Sequence, residues 1–306
     1  MNWYRVRFTV KGATLTAWKA DTIFGHFCWY LSRTRGEDRL RELLDACVSG
    51  QPPVMVSNGL PCDLLPRPIM PRPPRDVRKP IDKQKEDFDQ LKKNSDIQFV
   101  SIGDFAEITT GKVVIPKKAD TFWSGQVTLK NQINRLTGTT GEDASLFSVE
   151  ERFTPSVTVY IKATNDWEND VRAFFTVYLT GNGYGKRKTA GYGWVAEATL
   201  EPFPGFAVPA GANGFISLSD FVPAANDPVR GWWRVLVKYG KLGEEYALGG
   251  NPFKKPLVML EAGACFYDSP VREFYGRAVR GLASGHPEVV QYGFALPVPV
   301  VLPAPD

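Results

Sequence analysis

The stretch Gly181-Asn182-Gly183-Tyr184-Gly185-Lys186-Arg187-Lys188-Thr189-Ala190-Gly191-Tyr192-Gly193-Trp194-Val195 sets three consecutive cations among five glycines. Upstream, Phe174-Phe175-Thr176-Val177-Tyr178-Leu179 is rich in aromatic and branched residues and predicts a buried strand. Downstream, Trp194–Leu200 predicts another. Glycines between two such segments let the backbone take positive φ and come close to a neighbouring chain. Cations carried on such a loop neutralise phosphates, and Tyr184, Tyr192 and Trp194 offer ring faces for stacking on bases. No acidic residue lies between Gly181 and Ala196, which favours an RNA or phosphate contact over a bare flexible tip.

The composition bounds the rest. With 306 residues, 43% hydrophobic and 12% aromatic, the chain can bury a large core in one large domain or two smaller ones. Its 37 basic and 33 acidic residues leave only +4 net, so a nucleic-acid surface has to be local. Cys28, Cys47, Cys62 and Cys265 are far apart, and only two histidines could assist them. A zinc site is therefore not expected, and scattered cysteines with no leader peptide fit a reduced cytoplasm. No apolar run is long enough to span a bilayer.

From the N-terminus, Tyr4, Val6, Phe8 and Val10 alternate with Trp3, Arg5, Arg7 and Thr9, the pattern of a half-buried strand. Asp21 is the expected N-cap of a helix carrying Ile23, Phe24, Phe27, Cys28 and Leu31, and Gly25 inside it implies a close packing contact. A second helix is expected over 37–48, and a short strand over 54–57 ends at the Asn58-Gly59 turn. Prolines between Pro66 and Pro80 alternate with Arg67, Arg72, Arg75, Arg78 and Lys79, and basic residues continue to Lys93. That density of proline bars a helix interior and a central strand, so the segment is an excursion from the core. It reads equally as a solvated linker or as an arm that contacts RNA or a partner.

A strand at 99–102, a short helix at 103–109 and a strand with Val127 and Leu129 follow. They lead to a polar segment in which Asn131, Asn134, Arg135, Thr137, Thr139 and Thr140 can all form hydrogen bonds. Such groups suit phosphate oxygens and ribose hydroxyls, and they equally suit a turn that caps itself. Ser156–Ala163 is an alternating strand, with a short helix at 167–173. Proline, glycine and alanine across 202–214 mark a boundary between residues 1–205, with an insertion at about 66–98, and residues 206–306. The second part holds strands at 232–239 and 257–260. It ends with a second glycine and arginine stretch, Gly276–Gly285, before a closing strand at 289–298.

Taken together, these stretches resemble the RAMP proteins of CRISPR interference complexes, most nearly the subunits of type III-A (Csm) effectors that hold the 5′ handle of crRNA. Asp21-Thr22-Ile23-Phe24-Gly25 is similar to that family's first-helix motif, and Asn131–Thr140 with Leu146-Phe147 resembles its central signature. Gly181–Gly193 resembles its glycine-rich loop, and Tyr292-Gly293-Phe294 its C-terminus. The resemblance implies an α+β fold of two ferredoxin-like (RRM-related) modules with glycine-rich loops and a Pro/Arg/Lys-rich insertion. It implies RNA contacts from Thr22, Asn131, Asn134, Arg135, Thr137 and Thr139, and a phosphate cradle from Tyr184, Lys186, Arg187, Lys188, Arg277, Arg280 and Gly281. The implied partners are the crRNA handle, the large polymerase-like subunit and the adjacent backbone RAMP subunit, with no cofactor and no nuclease activity.

The alternative within the same superfamily is an endoribonuclease that processes precursor crRNA with a histidine as general acid or base. His26 and His286 have no lysine, tyrosine or carboxylate at a spacing that declares a catalytic set. Glu142-Asp143 and Glu150-Glu151 are adjacent pairs, which a strand would point to opposite faces. The glycine-rich loop also lacks the spacing of a nucleotide-binding P-loop.

Overall fold

The computed structural model describes residues 1–304 apart from 72–77, 79, 94–95, 116–123, 132, 134, 141–145 and 249. The chain begins with β1 (Asn2–Lys11), α1 (Ala20–Thr34), α2 (Glu37–Val48), β2 (Val54–Val56), β3 (Leu60–Pro61) and β4 (Leu64–Pro66). Next come α3 (Ile81–Lys93), β5 (Phe99–Ser101), α4 (Ile102–Thr109), β6 (Ser124–Lys130), β7 (Phe147–Phe153) and β8 (Ser156–Ala163). A continuous helical segment then passes from α5 (Glu168–Ala173) through a π-helical turn at Phe174–Tyr178 to α6 (Leu179–Asn182).

After β9 (Trp194–Pro202) the described residues hold no further α-helix, only strands and one 3-10 turn. These strands are β10 (Gly214–Ser217), β11 (Gly231–Trp232), β12 (Val235–Lys238), β13 (Leu257–Leu260) and β14 (Cys265–Tyr267). Then follow β15 (Tyr275–Gly276), β16 (Val279–Arg280), β17 (Val290–Gln291), β18 (Phe294–Ala295) and β19 (Pro297–Val300).

The first sheet has the order β2-β8-β1-β9, with β3 also paired to β8, and every pairing is antiparallel. The second has the order β11-β14-β10-β19, again antiparallel throughout. With β2 and β3 counted as one edge strand along β8, both run second, third, first, fourth in sequence. The two halves thus repeat one strand order, with helices crossing over only in the first.

Alternation along β8 explains the layering. Val157, Val159 and Ile161 join a core with Phe8, Phe24, Phe27, Phe174 and Phe175 beneath α1, α2 and the helical segment. Tyr160 points the other way, into a second core with Ile216, Cys265 and Val298 of the second sheet and Leu218 just after β10. The first sheet is therefore covered by helices on one face and by the second sheet on the other. A strand with both faces buried reads as a continuous apolar run, as β8 does.

Several expectations change on folding. Phe174–Leu179 is helical, because Phe174, Phe175 and Leu179 form a helical stripe into the first core while Val177 is exposed; packing overrides β propensity. Asp21 does not cap α1: the flanking residue is Lys19, and the free Ala20 N–H is taken by Asn58 Oδ1 at 2.9 Å. Gly25 has open space where its Cβ would stand, so no close contact explains it. Beyond Pro80 the basic excursion becomes α3. The expected strand at 232–239 is split between β11 and β12, in different sheets, and the closing strand is broken into β17, β18 and β19.

Candidate nucleic-acid interface

The glycine-rich loop starts where α6 ends on Gly183, whose φ of 70° gives the left-handed stop that favours glycine. The Tyr184 N–H donates to Gly193 O at 2.8 Å and the Gly193 N–H to Ala13 O at 2.9 Å, so the loop closes on itself and on the chain after β1. Tyr184 is fully buried, stacked on Trp18 at 3.7 Å with 7° between the rings, and its hydroxyl donates to Ala17 O at 2.8 Å. The expectation that Tyr184 presents a face to RNA is therefore corrected: the ring is a core residue that pins the loop. Thr22 lies against the Tyr184 hydroxyl, half-buried on α1.

His26 is spent on the same anchoring. Its Nε2 accepts the Gly185 N–H at 3.1 Å, so the ring proton sits on Nδ1. Burial pushes its pKa down to about 4, with Lys188 adding to the shift. The neutral form is favoured in the folded state, so this stability is complete above pH 6.5 and is lost as the pH falls toward 4. We expect about 2 kcal/mol of stability to be lost between pH 7.5 and pH 5 through this group. A matched loss in His26→Gln, by urea unfolding at the two pH values, would remove His26 as the cause.

The cations divide. Lys186 and Arg187 are exposed, and Arg187 holds a left-handed φ of 55° with its guanidinium 4.8 Å from the Phe147 ring. Lys188 turns inward and pairs with Glu244 at 2.7 Å. The sequence neighbourhood contains no acid, but the tertiary fold supplies one. In the second glycine stretch, Arg280 pairs with Asp45 at 2.9 Å, Arg277 Nε donates to Pro223 O at 3.2 Å, and Gly281 takes a φ of 77°.

The central polar segment lies at the end of the β6–β7 hairpin, whose stem rests against the glycine-rich loop. Arg187 covers Phe147 at the start of β7, and Lys130 at the end of β6 bonds to the Tyr192 hydroxyl. Tyr192 donates to Glu151 at 2.5 Å, and Gln126, then Thr128 and Lys130, hold that carboxyl below the usual range. Asn131, Arg135, Thr137 and Thr139 are all exposed, with the Thr137 and Thr139 hydroxyls 2.9 Å apart. Asn134 lies outside the described residues. The structure thus sets the stem of the hairpin that carries the central polar segment against the glycine-rich loop, some fifty residues further along the sequence.

Sequence reading missed Lys11 near this loop, although the register of β1 against β9 places it beside exposed Trp194, with its ammonium 5.9 Å from the ring. Tyr192 is buried, so Trp194 is the ring of this loop that remains free to stack. The second glycine stretch is tied to the first through the β12–β13 hairpin. Glu244 on its connecting loop meets Lys188, Tyr246 stacks on His286 at 4.4 Å, and the Lys255 N–H donates to Leu282 O. Among the described residues no cluster of His, Cys, Asp or Glu could hold a metal, and no helix is long and apolar enough to cross a membrane.

No family model and no curated protein matches this sequence. Solved structures do match it over its whole length. A chain of the Csm1–Csm4 cassette in complex with cA4 aligns over 100% of both chains, with a TM-score of 0.66 and 18% identity. The cassette in complex with AMPPNP gives 0.64 and 17%, again over 100% of both chains. A chain of the Csm3–Csm4 subcomplex of the type III-A CRISPR-Cas interference complex gives 0.61 and 14%, over 98% of this chain and 100% of that one. The fold is therefore one that those assemblies contain. Csm4 is the component the two assemblies share, and this chain has the Csm4 fold.

Proposed function

We propose that this chain is a subunit of a type III CRISPR interference complex, that it holds the 5′ handle of crRNA without cutting it, and that it docks on the large polymerase-like subunit and the adjacent backbone RAMP subunit. One observation carries the reading: on a Csm4 fold, the stem of the hairpin that carries the exposed Asn131–Thr140 segment packs at Lys130 and Phe147 against the glycine-rich loop. Both sheets share a strand order that matches the β-α-β-β-α-β scheme, which supports two ferredoxin-like modules, the second with its helices replaced by loops. Csm1 and Csm3 accompany Csm4 in the matching assemblies, which supports the two docking partners. The absence of cleavage is supported by His26, whose Nε2 is already engaged by the Gly185 N–H.

The exposed pair Lys186 and Arg187 should meet phosphates, Trp194 a base, and Asn131, Arg135, Thr137 and Thr139 sugar and phosphate oxygens. Contacts to backbone and to one constant single strand suit a protein that must accept any guide sequence. Replacing Lys186 and Arg187 together by alanine is expected to weaken binding of handle RNA regardless of the guide attached. The slope of log affinity against log salt should become shallower by about 1.4, two phosphate contacts on a single strand. Filter retention across a salt series measures it; an unchanged slope would rule these residues out as phosphate ligands. Sequencing the RNA that copurifies with the chain tests the wider reading, which predicts short RNAs with one constant 5′ end.

A further inference from the structure

Glu244 bridges two cations with its two oxygens. Oε1 lies 2.7 Å from Lys188 Nζ on the glycine-rich loop, and Oε2 lies 3.3 Å from Arg33 Nη2 at the end of α1. Lys188 is 19% exposed and Glu244 24%, so the contact is partly shielded from water. Arg33 is also held by Glu245 at 2.9 Å and lies 5.2 Å from the Trp29 ring. Burial alone would raise the Glu244 carboxyl, yet Lys188 and Arg33 keep it below the usual carboxylate range.

The backbone on both sides of the contact is unusual. Glu244 has a φ of 51° and Arg187, next to Lys188, a φ of 55°, a region that costs a residue with a Cβ roughly 1–2 kcal/mol. A non-glycine residue held there by its surroundings points to a role for the site. The loop that carries Glu244 has other anchors: Lys238 pairs with Asp21 at 2.9 Å, and Tyr246 packs on Trp29 at 5.4 Å and on His286. Loss of the Glu244 contact would therefore leave the β12–β13 hairpin in place.

We infer that Lys188 and Arg33 form an RNA phosphate site that the Glu244 carboxylate fills in the free protein, standing in for a phosphate until RNA displaces it. This rests on the RNA-binding reading above and adds Arg33 to it. A carboxylate with one oxygen on each of two cations has the form of a bridging phosphate, and both anions use the same charge-assisted hydrogen bonds. A resident acid also sets a threshold: an isolated phosphate has to compete with a tethered carboxylate, whereas a strand already held by Lys186 and Arg187 competes at high effective concentration.

The test is binding of a short single-stranded RNA with the copurified 5′ sequence, using the full chain and its Glu244→Gln and Glu244→Asn variants. Gln keeps the shape without the charge, and Asn also accepts left-handed backbone, so one of the two stays folded. Both are expected to bind about threefold to tenfold more tightly than the parent at low salt, the scale of one partly buried charge contact. Adding Arg33→Ala to either should cancel the gain. Glu42→Gln, which changes net charge equally at an exposed pair with Arg39, should leave affinity unchanged. Equal affinity in parent and both variants, or a gain that survives Arg33→Ala, overturns this inference alone. A chain that binds RNA in no form overturns the proposed function as well.

Discussion

Gly193→Ala is expected to cost about 3 kcal/mol or more of stability and to detach the glycine-rich loop from the first core. Gly193 holds a φ of 66°, and a Cβ built there would lie 1.8 Å from Tyr184 O and 2.9 Å from Tyr184 C. The obstructing atoms are backbone, so no side chain can swing aside. To make room, the chain has to give up the hydrogen bonds from Tyr184 N to Gly193 O and from Gly193 N to Ala13 O. Tyr184 would then leave its stack on Trp18, and His26 would lose the Gly185 N–H. Gly191→Ala is the comparison, since Gly191 has a φ of 84° but nothing within 4 Å of its Cβ position. It bears only the left-handed penalty of roughly 1–2 kcal/mol. Guanidinium unfolding followed by tryptophan fluorescence separates the two, and equal losses would show that the close approach of the two strands of the loop is not what holds it.

That contrast also shows how far the sequence speaks for itself. The five glycines announced a backbone with unusual angles, and four of them, Gly183, Gly185, Gly191 and Gly193, do take positive φ. What the glycines could not announce is which aromatic ring the loop buries. Tyr184 and Trp194 look alike as stacking platforms in sequence, and only the position of Trp18 on the opposite side of the loop sends one inward. Strand β1 and helix α2 were legible because their apolar residues keep one period from end to end. The helical segment through Phe174 was not, because six consecutive aromatic and branched residues, Phe174 to Leu179, satisfy a strand and a helix equally. Likewise Trp232–Tyr239 reads as one strand, and nothing local signals that β11 and β12 leave for different sheets.

The site divides along the same line. Polar residues such as Asn131 and Arg135, beyond the end of a hairpin stem, are exposed, since nothing in the core competes for them. Charged residues near a long-range partner behave differently. Lys188 and Arg280 each meet an acid far away in sequence, Glu244 and Asp45, and no spacing rule connects those positions. Arg33 was invisible for the same reason: on α1 it looks like a basic residue in the last turn, placed to suit the helix dipole.

The joint between the two sheets yields the other large effect, in Asp220→Ala. Asp220 follows β10 in the second half, and its side chain is 6% exposed. One of its oxygens accepts from Asn58 Nδ2 and from the Ala262 N–H, both at 2.9 Å, and the other pairs with Lys19 at 2.7 Å. Asn58 in turn accepts the first N–H of α1 through its Oδ1, so the carboxylate fixes the junction of β2, α1 and both sheets at once. Deleting it leaves a buried amide, a backbone donor and a partly exposed ammonium without their common acceptor, and two lost buried hydrogen bonds with a solvent-screened ion pair cost about 2–4 kcal/mol. Asp220→Asn can keep the two neutral bonds but turns an amide toward Lys19, so its loss should be smaller, about 1–2 kcal/mol. Because Asn58 anchors the start of α1 while Arg33 and His26 hang from its body, the variant should loosen the helix without changing the charge of the RNA surface. Its salt slope for handle RNA should match the parent protein even where its midpoint in denaturant has fallen. A loss under about 1 kcal/mol for Asp220→Ala would mean that water replaces the carboxylate at that joint and that packing between the sheets, not this charge, holds them in register.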